Sequence, residues 1–520
     1  MTNGGESEIT VFKSKVVAIH AALLPNGKLF FMSYPSRFQQ NSDDSHNHDE
    51  HNHEQHQHSH LGSSSSKGAW QFANPENWEE ETQGNELEKN LFCAGHCFMD
   101  NGELFISGGQ YQTLLNLILL FNPPSRFNHT FSKLGQFSQK ESMWLGRWYP
   151  TCVELADGTV LIISGSWGLF GVKKLGPFNL VHNKLHSYNR DTGLKVLQTL
   201  PFKVDLYPYG CLLPDGRVLV HSERTTRFYH PQTNQWEKLP NSNKLLEIST
   251  KHEFSRTNPY QGASVLLPLL PDDDIPYSAK IMVAGGPSKE HQEIEDDATN
   301  AVEILDLSES DPSWDYTTNM NSNRILCDAV LLPNGMVLVI NGCSKGKSDA
   351  ADPPVLEPDL YDPKTKSWTS LNPLKIGRRY HATALLLPNG KVMTAGTDRE
   401  WNVIDEDLYD VEVFTPPYLQ GKIGPLISNV QSELTIGQEF KIECPQSNEI
   451  KSIALIKPGS TTHSLNTDQR FVGLEITNTT QNFVSSKIPT NPNLVPKGYY
   501  MLFVMDSDGT PSKAKFVLIK

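Results

Sequence analysis

The sequence predicts an all-β chain: a seven-bladed β-propeller followed by an immunoglobulin-like β-sandwich. Three observations carry that expectation. One phrase of apolar residues, Asn-Gly or Asp-Gly, and apolar residues again recurs along the first four-fifths of the chain. A second phrase closing on tryptophan follows several copies of the first. Both phrases stop after VEVFTPPYLQGKIGPLI, residues 411–427.

The first phrase reads LLPNGKLFFMSY around Gly27, FMDNGELFISGG around Gly102 and ELADGTVLIISGS around Gly158. It returns as LLPDGRVLVHSE around Gly216, LLPNGMVLVINGC around Gly335 and LLPNGKVMTAG around Gly390. A degenerate copy between Val265 and Gly286 makes seven. Asn-Gly and Asp-Gly tolerate positive φ, so each copy predicts a β-hairpin closed by a tight I′ turn. The flanking runs are short and rich in leucine and β-branched residues, as buried strands are. The second phrase is YHPQTNQWEKL from Tyr229, EILDLSESDPSWDY from Glu303 and YDPKTKSWTSL from Tyr361. It predicts a second hairpin per repeat. Two hairpins form a four-stranded sheet, and a period of about 50 residues matches a kelch-type blade. A single large sandwich is the competing architecture, but it has no reason to repeat one phrase at similar spacing.

Pro416, Pro417, Gly421 and Gly424 mark a boundary. The propeller is assigned to residues 1–417 and the sandwich to 418–520, an early-set-type module of about 100 residues. Residues 41–67 contain HNHDEHNHEQHQHSH followed by LGSSSSK. With almost nothing apolar to bury, they are expected to form a disordered insertion in the first blade. Metal capture by His46–His60 is the alternative, because neutral imidazoles bind copper and zinc.

The 520 residues carry a net charge of −14. An acidic chain has no electrostatic reason to bind phosphate backbones or anionic membranes, so neither nucleic acid nor membrane is an expected partner. No apolar run approaches the roughly 18 residues that span a bilayer. Met1–Lys15 is mostly polar and lacks the features of a secretory leader. The compartment therefore stays open between an intracellular site and secretion with a leader removed. The seven cysteines include no CxxC pair, which argues against a disulfide scaffold. Cys93 and Cys97 lack the partners of a zinc site.

Four segments bear chemistry. Cys93 lies in Phe-Cys-Ala-Gly before one blade strand. Tyr149 lies in Arg-Trp-Tyr before another, with Trp167 eighteen residues on. Tyr380 and His381 precede a third, and His463 sits in GSTTHSLNTDQR of the sandwich. Alone, each has a bland reading: a small buried cysteine, packing aromatics, a structural histidine. Together they change the expectation. Residues just before a blade's inner strand lie where the blades converge on the axis, and a sandwich loop can insert His463 there. Consecutive strand residues face opposite ways, so Tyr380 and His381 must sit in a loop or bulge to share one site. Two imidazoles and two phenolates in a tetragonal N,O set suit Cu(II).

Across residues 19–520 the chain resembles the galactose oxidase and glyoxal oxidase family of copper-radical oxidases. The resemblance is strongest in GSTTHSLNTDQR, GYYMLFVMDSDGTPS, RRYHATALLLPNGKV and the Tyr149-to-Trp167 spacing. It implies one copper ion held by Tyr149, Tyr380, His381 and His463. It implies that Tyr149 forms the radical and is joined to Cys93 by a thioether, the Tyr-Cys cofactor. Tyr380 would be the axial ligand and general base, and Trp167 would stack over the Cys93–Tyr149 unit. The implied reaction oxidises a primary alcohol to an aldehyde and reduces O2 to H2O2, with small-molecule substrates and a monomeric chain. A glyoxal-type aldehyde oxidase and a non-catalytic kelch binding module are the alternatives. The amino-terminal carbohydrate-binding module of galactose oxidase has no counterpart here. Nor does its galactose-binding arginine; DLYPYGCLLPDGRV, from Asp205, is closer to glyoxal oxidase.

Overall fold

The computed structural model describes residues 6–34, 68–78, 80–87, 90–109, 125–133, 135–167, 181–398 and 406–520. The expected His/Ser-rich insertion at 41–67 lies outside the described residues. Among the described residues up to 415, seven antiparallel sheets follow one another along the chain, each led by an inner strand. The inner strands are His20–Leu23, Gly95–Phe98, Trp148–Glu154, Tyr209–Leu212, Ala263–Leu266, Asp328–Leu331 and Ala382–Leu386. All seven are almost entirely buried, which is why their sequences run apolar without polar alternation. The seventh blade takes its outer strand from the other end of the chain: Glu6–Lys13 pairs antiparallel with Asp410–Thr415. That closure gives the terminal sheet four strands and leaves no inner hairpin unsupported.

The turns depart from the expected I′ geometry. In Leu24–Lys28 the Gly27 N–H donates to the Leu24 carbonyl and the Leu24 N–H to the Lys28 carbonyl. Gly27 has φ +82°, whereas Asn26 is not in the left-handed region. The loop is thus three residues long, a type I turn followed by a left-handed glycine. The same bonds recur around Gly102, Gly158, Gly216, Gly335 and Gly390. Proline before the Asn/Asp suits the turn in four copies, since its fixed φ fits the first central position of a type I turn; Asp100 and Ala156 fill that position around Gly102 and Gly158, so the left-handed glycine is the common element.

Buried arginines stiffen four blades. Arg147, Arg256, Arg324 and Arg378 are each 2% exposed or less. Each crosses its own sheet to carbonyls in or next to the second and third strands. Arg378, for example, donates to Gly396 (2.9 Å) and Asp410 (2.7 Å). A carboxylate balances the charge for Arg256 (Glu303, 3.1 Å) and Arg324 (Asp359, 3.4 Å). In the third blade the neutral His186 ring accepts a hydrogen bond from Arg147 at Nδ1 (2.5 Å) without balancing its charge.

After the last propeller strand, a four-stranded and a five-stranded sheet form the C-terminal sandwich. Its apolar face is continuous with the fifth blade: Leu269 and Ile281 share a cluster with Ile453, Leu455 and Val472. One hairpin leaves the sandwich. Ser460–Thr462 pairs with His20–Leu23, so the hairpin extends the first blade inward along the axis.

Candidate metal centre

The motif GSTTHSLNTDQR builds this insertion residue by residue. Thr462 opposes Leu465, leaving a two-residue loop of His463 (φ +49°) and Ser464 (φ +61°). Two left-handed central residues define a type I′ turn. The geometry expected for the blades therefore occurs at the hairpin tip, on residues that favour it poorly. Left-handed backbone costs an L residue roughly 1–2 kcal/mol, so the surroundings must hold it. Thr467 donates to the Cys152 carbonyl (2.8 Å). The Asp468 carboxylate accepts the Phe98 N–H (3.0 Å), and Gln469 Nε2 donates to the Ala329 carbonyl (2.8 Å). Arg470 donates to the Leu212 carbonyl. These four residues clamp the hairpin to the third, second, sixth and fourth blades in turn. Lys457, buried against Glu154, adds an ion pair at the same junction.

Three of the other site residues share one device. Cys93 (φ +59°), Tyr149 (φ +63°) and His381 (φ +61°) are all left-handed and stand at the start of their inner strands. So are Tyr207 (φ +45°) and Leu326 (φ +61°) in two further blades. The conformation thus recurs in five of the seven blades. It breaks the alternation of a strand and turns one side chain toward the axis. It also accounts for the glycine closing the second strand. A Cβ on Gly396 would lie 2.3 Å from the His381 carbonyl oxygen.

The structure brings five of the six predicted site residues together. Cys93 Sγ lies 3.6 Å from His463 Nε2. Ligating atoms of Cys93, His381 and His463 all fall within 4.8 Å of one another. The Tyr149 and Tyr380 hydroxyls are 3.0 Å apart. The His463 ring sits 4.5 Å from His381, 4.8 Å from Tyr149 and 5.4 Å from Tyr380. All five residues are buried.

The sixth differs from expectation. The ring stacked on Tyr149 is Trp148, at 4.1 Å and 16°. Left-handed backbone at Tyr149 lets these neighbours share a face. Trp167 follows the strand Val160–Ser166 and is half-buried; among the described residues it makes no ring contact with Tyr149.

Burial sets the protonation states. Desolvation holds His463 well below its ordinary value, with His381, His20 and His96 adding to the effect. The ring is neutral and can donate a lone pair. Its Nδ1 is 2.6 Å from the Thr462 hydroxyl, which leaves Nε2 toward the cluster. His381 Nδ1 is 2.6 Å from Asp398 Oδ1. Its Nε2 is buried with no hydrogen-bond partner among the described residues. A buried polar atom left bare is costly, and a metal ion would satisfy it. Burial also pushes the Tyr149 phenol well above its ordinary value, with Cys93 and Tyr380 contributing. A phenolate there needs a cation beside it. The donor set of two imidazoles and two phenols therefore fits a divalent transition metal.

Several residues escaped the sequence reading. Tyr207 packs 4.7 Å from Tyr149 and 4.9 Å from His463, and its hydroxyl donates to the Ala94 carbonyl (2.9 Å). Its signal was its position, two residues before an inner strand like Cys93. His20 accepts the Cys93 N–H at Nε2 (3.0 Å). That backbone donor fixes the direction of a buried chain: His20 Nδ1 to His96 Nε2 (3.1 Å), then His96 Nδ1 to Ser460 Oγ (2.6 Å). It ties Cys93 to the hairpin that carries His463, and isolated histidines in strands gave no hint of it.

Residues 47–418 match the family described as glyoxal oxidase N-terminus, and residues 424–519 match the galactose oxidase-like early set domain. The aldehyde oxidase GLOX1 of Arabidopsis thaliana is 28% identical over 465 residues, covering 83% of this chain and 72% of its own. The galactose oxidase of Gibberella zeae is 25% identical, covering 83% and 61% respectively. A fungal alcohol oxidase of the AA5 family, solved in complex with copper, shares the fold across both whole chains with a TM-score of 0.76 and 20% identity. No helix among the described residues is long and apolar enough to cross a membrane. The propeller, the early-set sandwich and these matches together place the chain in the glyoxal oxidase family, with a galactose oxidase-like early set domain.

Proposed function

We propose that this protein is a mononuclear copper-radical oxidase acting on a carbon that bears both a hydroxyl and a hydrogen. The observation that carries the proposal is the convergence of Tyr149, Tyr380, His381 and His463 from three separate segments, with Cys93 against them and His381 Nε2 bare. His381 and His463 would hold the copper by Nε2, with the phenol oxygens of Tyr149 and Tyr380 completing the set. Copper supplies a one-electron acceptor and the positive charge that lets buried phenols ionise.

The chain's own residues account for the rest. Removing two electrons and two protons needs a second one-electron acceptor, and Tyr149 as a phenoxyl radical is that group. A thioether to Cys93 would make the radical easier to form. Its formation removes one hydrogen from Cys93 Sγ and one from the Tyr149 ring, joins sulfur to carbon, and passes both hydrogens to O2 as H2O2. In turnover, Tyr380 takes the substrate hydroxyl proton and Tyr149 takes the hydrogen on carbon. Phe92, Tyr207 and Trp148 exclude water from the oxidised ring.

Two substrate classes satisfy that demand. A primary alcohol with O2 gives an aldehyde and H2O2; an aldehyde hydrate with O2 gives a carboxylic acid and H2O2. The match of residues 47–418 to glyoxal oxidase favours the aldehyde. The deciding experiment is a panel of primary alcohols and aldehydes on copper-loaded protein with H2O2 detection. One of the two classes is expected to turn over. No H2O2 from any member, despite full copper occupancy, overturns the oxidase reading in favour of a binding propeller.

A further inference from the structure

We propose that Asp398 is a positioning residue for the metal centre, fixing the His381 ring and setting how strongly its Nε2 donates. The inference rests on the copper reading above. Asp398 and His381 lie across one hairpin: Ala382 pairs with Gly396, and the Thr397 N–H donates to the His381 carbonyl (3.1 Å). Their side chains are 1% and 2% exposed, and Oδ1 is 2.6 Å from Nδ1. A carboxylate only accepts, so Nδ1 carries the hydrogen and the lone pair is left at Nε2. That nitrogen is the bare one in the cluster with Cys93 and His463.

The two imidazoles are therefore unequal. His463 is oriented by a neutral hydroxyl, Thr462, whereas His381 is oriented by a carboxylate. Charge-assisted bonds are roughly twice as strong as neutral ones, and a carboxylate behind an imidazole raises its basicity as a ligand. Asp398 is itself aimed from a distant segment: the Tyr34 hydroxyl lies 3.1 Å from its Oδ2 and 3.3 Å from Asp407. The Phe92 ring stands edge-on to His381 at 5.4 Å and closes the other side. A more basic His381 favours Cu(II) over Cu(I), which lowers the metal's reduction potential.

The test is Asp398→Asn in the full chain, which keeps the side-chain shape and removes the charge. Its readouts are Cu(II) and Cu(I) affinity and the Cu(II) EPR spectrum. Copper held by the tract at residues 46–60 is subtracted with the His381→Ala/His463→Ala variant. Cu(II) affinity is expected to fall about 10–100-fold. Cu(I) affinity should change less, so each tenfold difference raises the potential by about 59 mV. Tyr34→Phe, which removes one hydroxyl, should shift the spectrum the same way by less; it also serves if the Asn variant fails to fold. Wild-type affinity and spectrum in both variants would overturn the positioning role while leaving the oxidase intact. Absence of the subtractable site in wild-type protein would overturn both.

Discussion

The hydroxyls of the buried residues Tyr149 and Tyr380 lie 3.0 Å apart, yet their expected fates differ. Tyr149 is stacked by Trp148 and adjoins Cys93, the setting for a stored oxidising equivalent. Tyr380 lies against His381, with ring centroids 3.9 Å apart, where a base can meet a substrate hydroxyl. Tyr380→Phe keeps the ring and deletes only the oxygen. The lost hydrogen bond costs about 1 kcal/mol, a small change in melting. Loss of general-base assistance should lower kcat about 10²–10⁴-fold, with copper retained. Measuring kcat and copper content on one preparation checks it; unchanged kcat would return Tyr380 to a packing role.

Cys93 is fully buried with its N–H held by His20, so its backbone survives loss of the sulfur. Cys93→Ala should fold, at a cavity cost of about 1–2 kcal/mol for a small side chain. It should keep copper and lose most turnover. Intact-protein mass separates the readings. Wild-type protein matured with copper and O2 should be lighter than its sequence by two hydrogen atoms, and the variant should not. A wild-type mass with no such loss would dismiss the thioether.

The fold was legible because six of the seven blades repeat the same turn chemistry, and repetition exposes a pattern that a single copy would hide. The turn type differs because Asn-Gly and Asp-Gly suggest a two-residue loop, whereas only the glycine is left-handed here and the loop is three residues long. Cys93, Tyr149, Tyr380, His381 and His463 were legible through resemblance and through their common place before inner strands. Asp398, His20 and His96 were not. Their roles depend on pairings between segments 17 to 76 residues apart, and no local spacing encodes those. Trp167 shows the converse, since a matching spacing does not determine which ring the backbone turns onto Tyr149.

That last point is testable with two substitutions. The Trp148–Tyr149 stack is worth about 0.5–1.5 kcal/mol beyond burial. If it shields the radical, Trp148→Phe should shorten the lifetime of the radical's EPR and absorption signals severalfold, and Trp167→Phe should leave them nearly unchanged. The reverse result would assign the shield to Trp167 and imply that the loop rearranges when the cofactor matures.

The buried histidines make a prediction about acid. Burial holds His96 and His221 down to about 3 and His186 and His252 to about 4. His182 is held to about 2, and His20 and His463 are lowered as well. In the unfolded chain each titrates near 6.5, so below that pH unfolding takes up protons and stability falls. Asp328 and Asp468, raised to about 7, work the other way, as do the raised Glu154 and Asp273. These acids bind protons when folded and release them on unfolding, which favours the folded state as pH drops from about 7 toward 4. Seven imidazoles outweigh four carboxyls. The metal-free protein should therefore be most stable near pH 6.5 and lose melting temperature steadily down to pH 4.5. Calorimetry in EDTA measures this directly. A melting temperature that stays flat or rises through that window would mean that these rings are charged in the folded protein, and that His463 is not the neutral donor the metal centre requires.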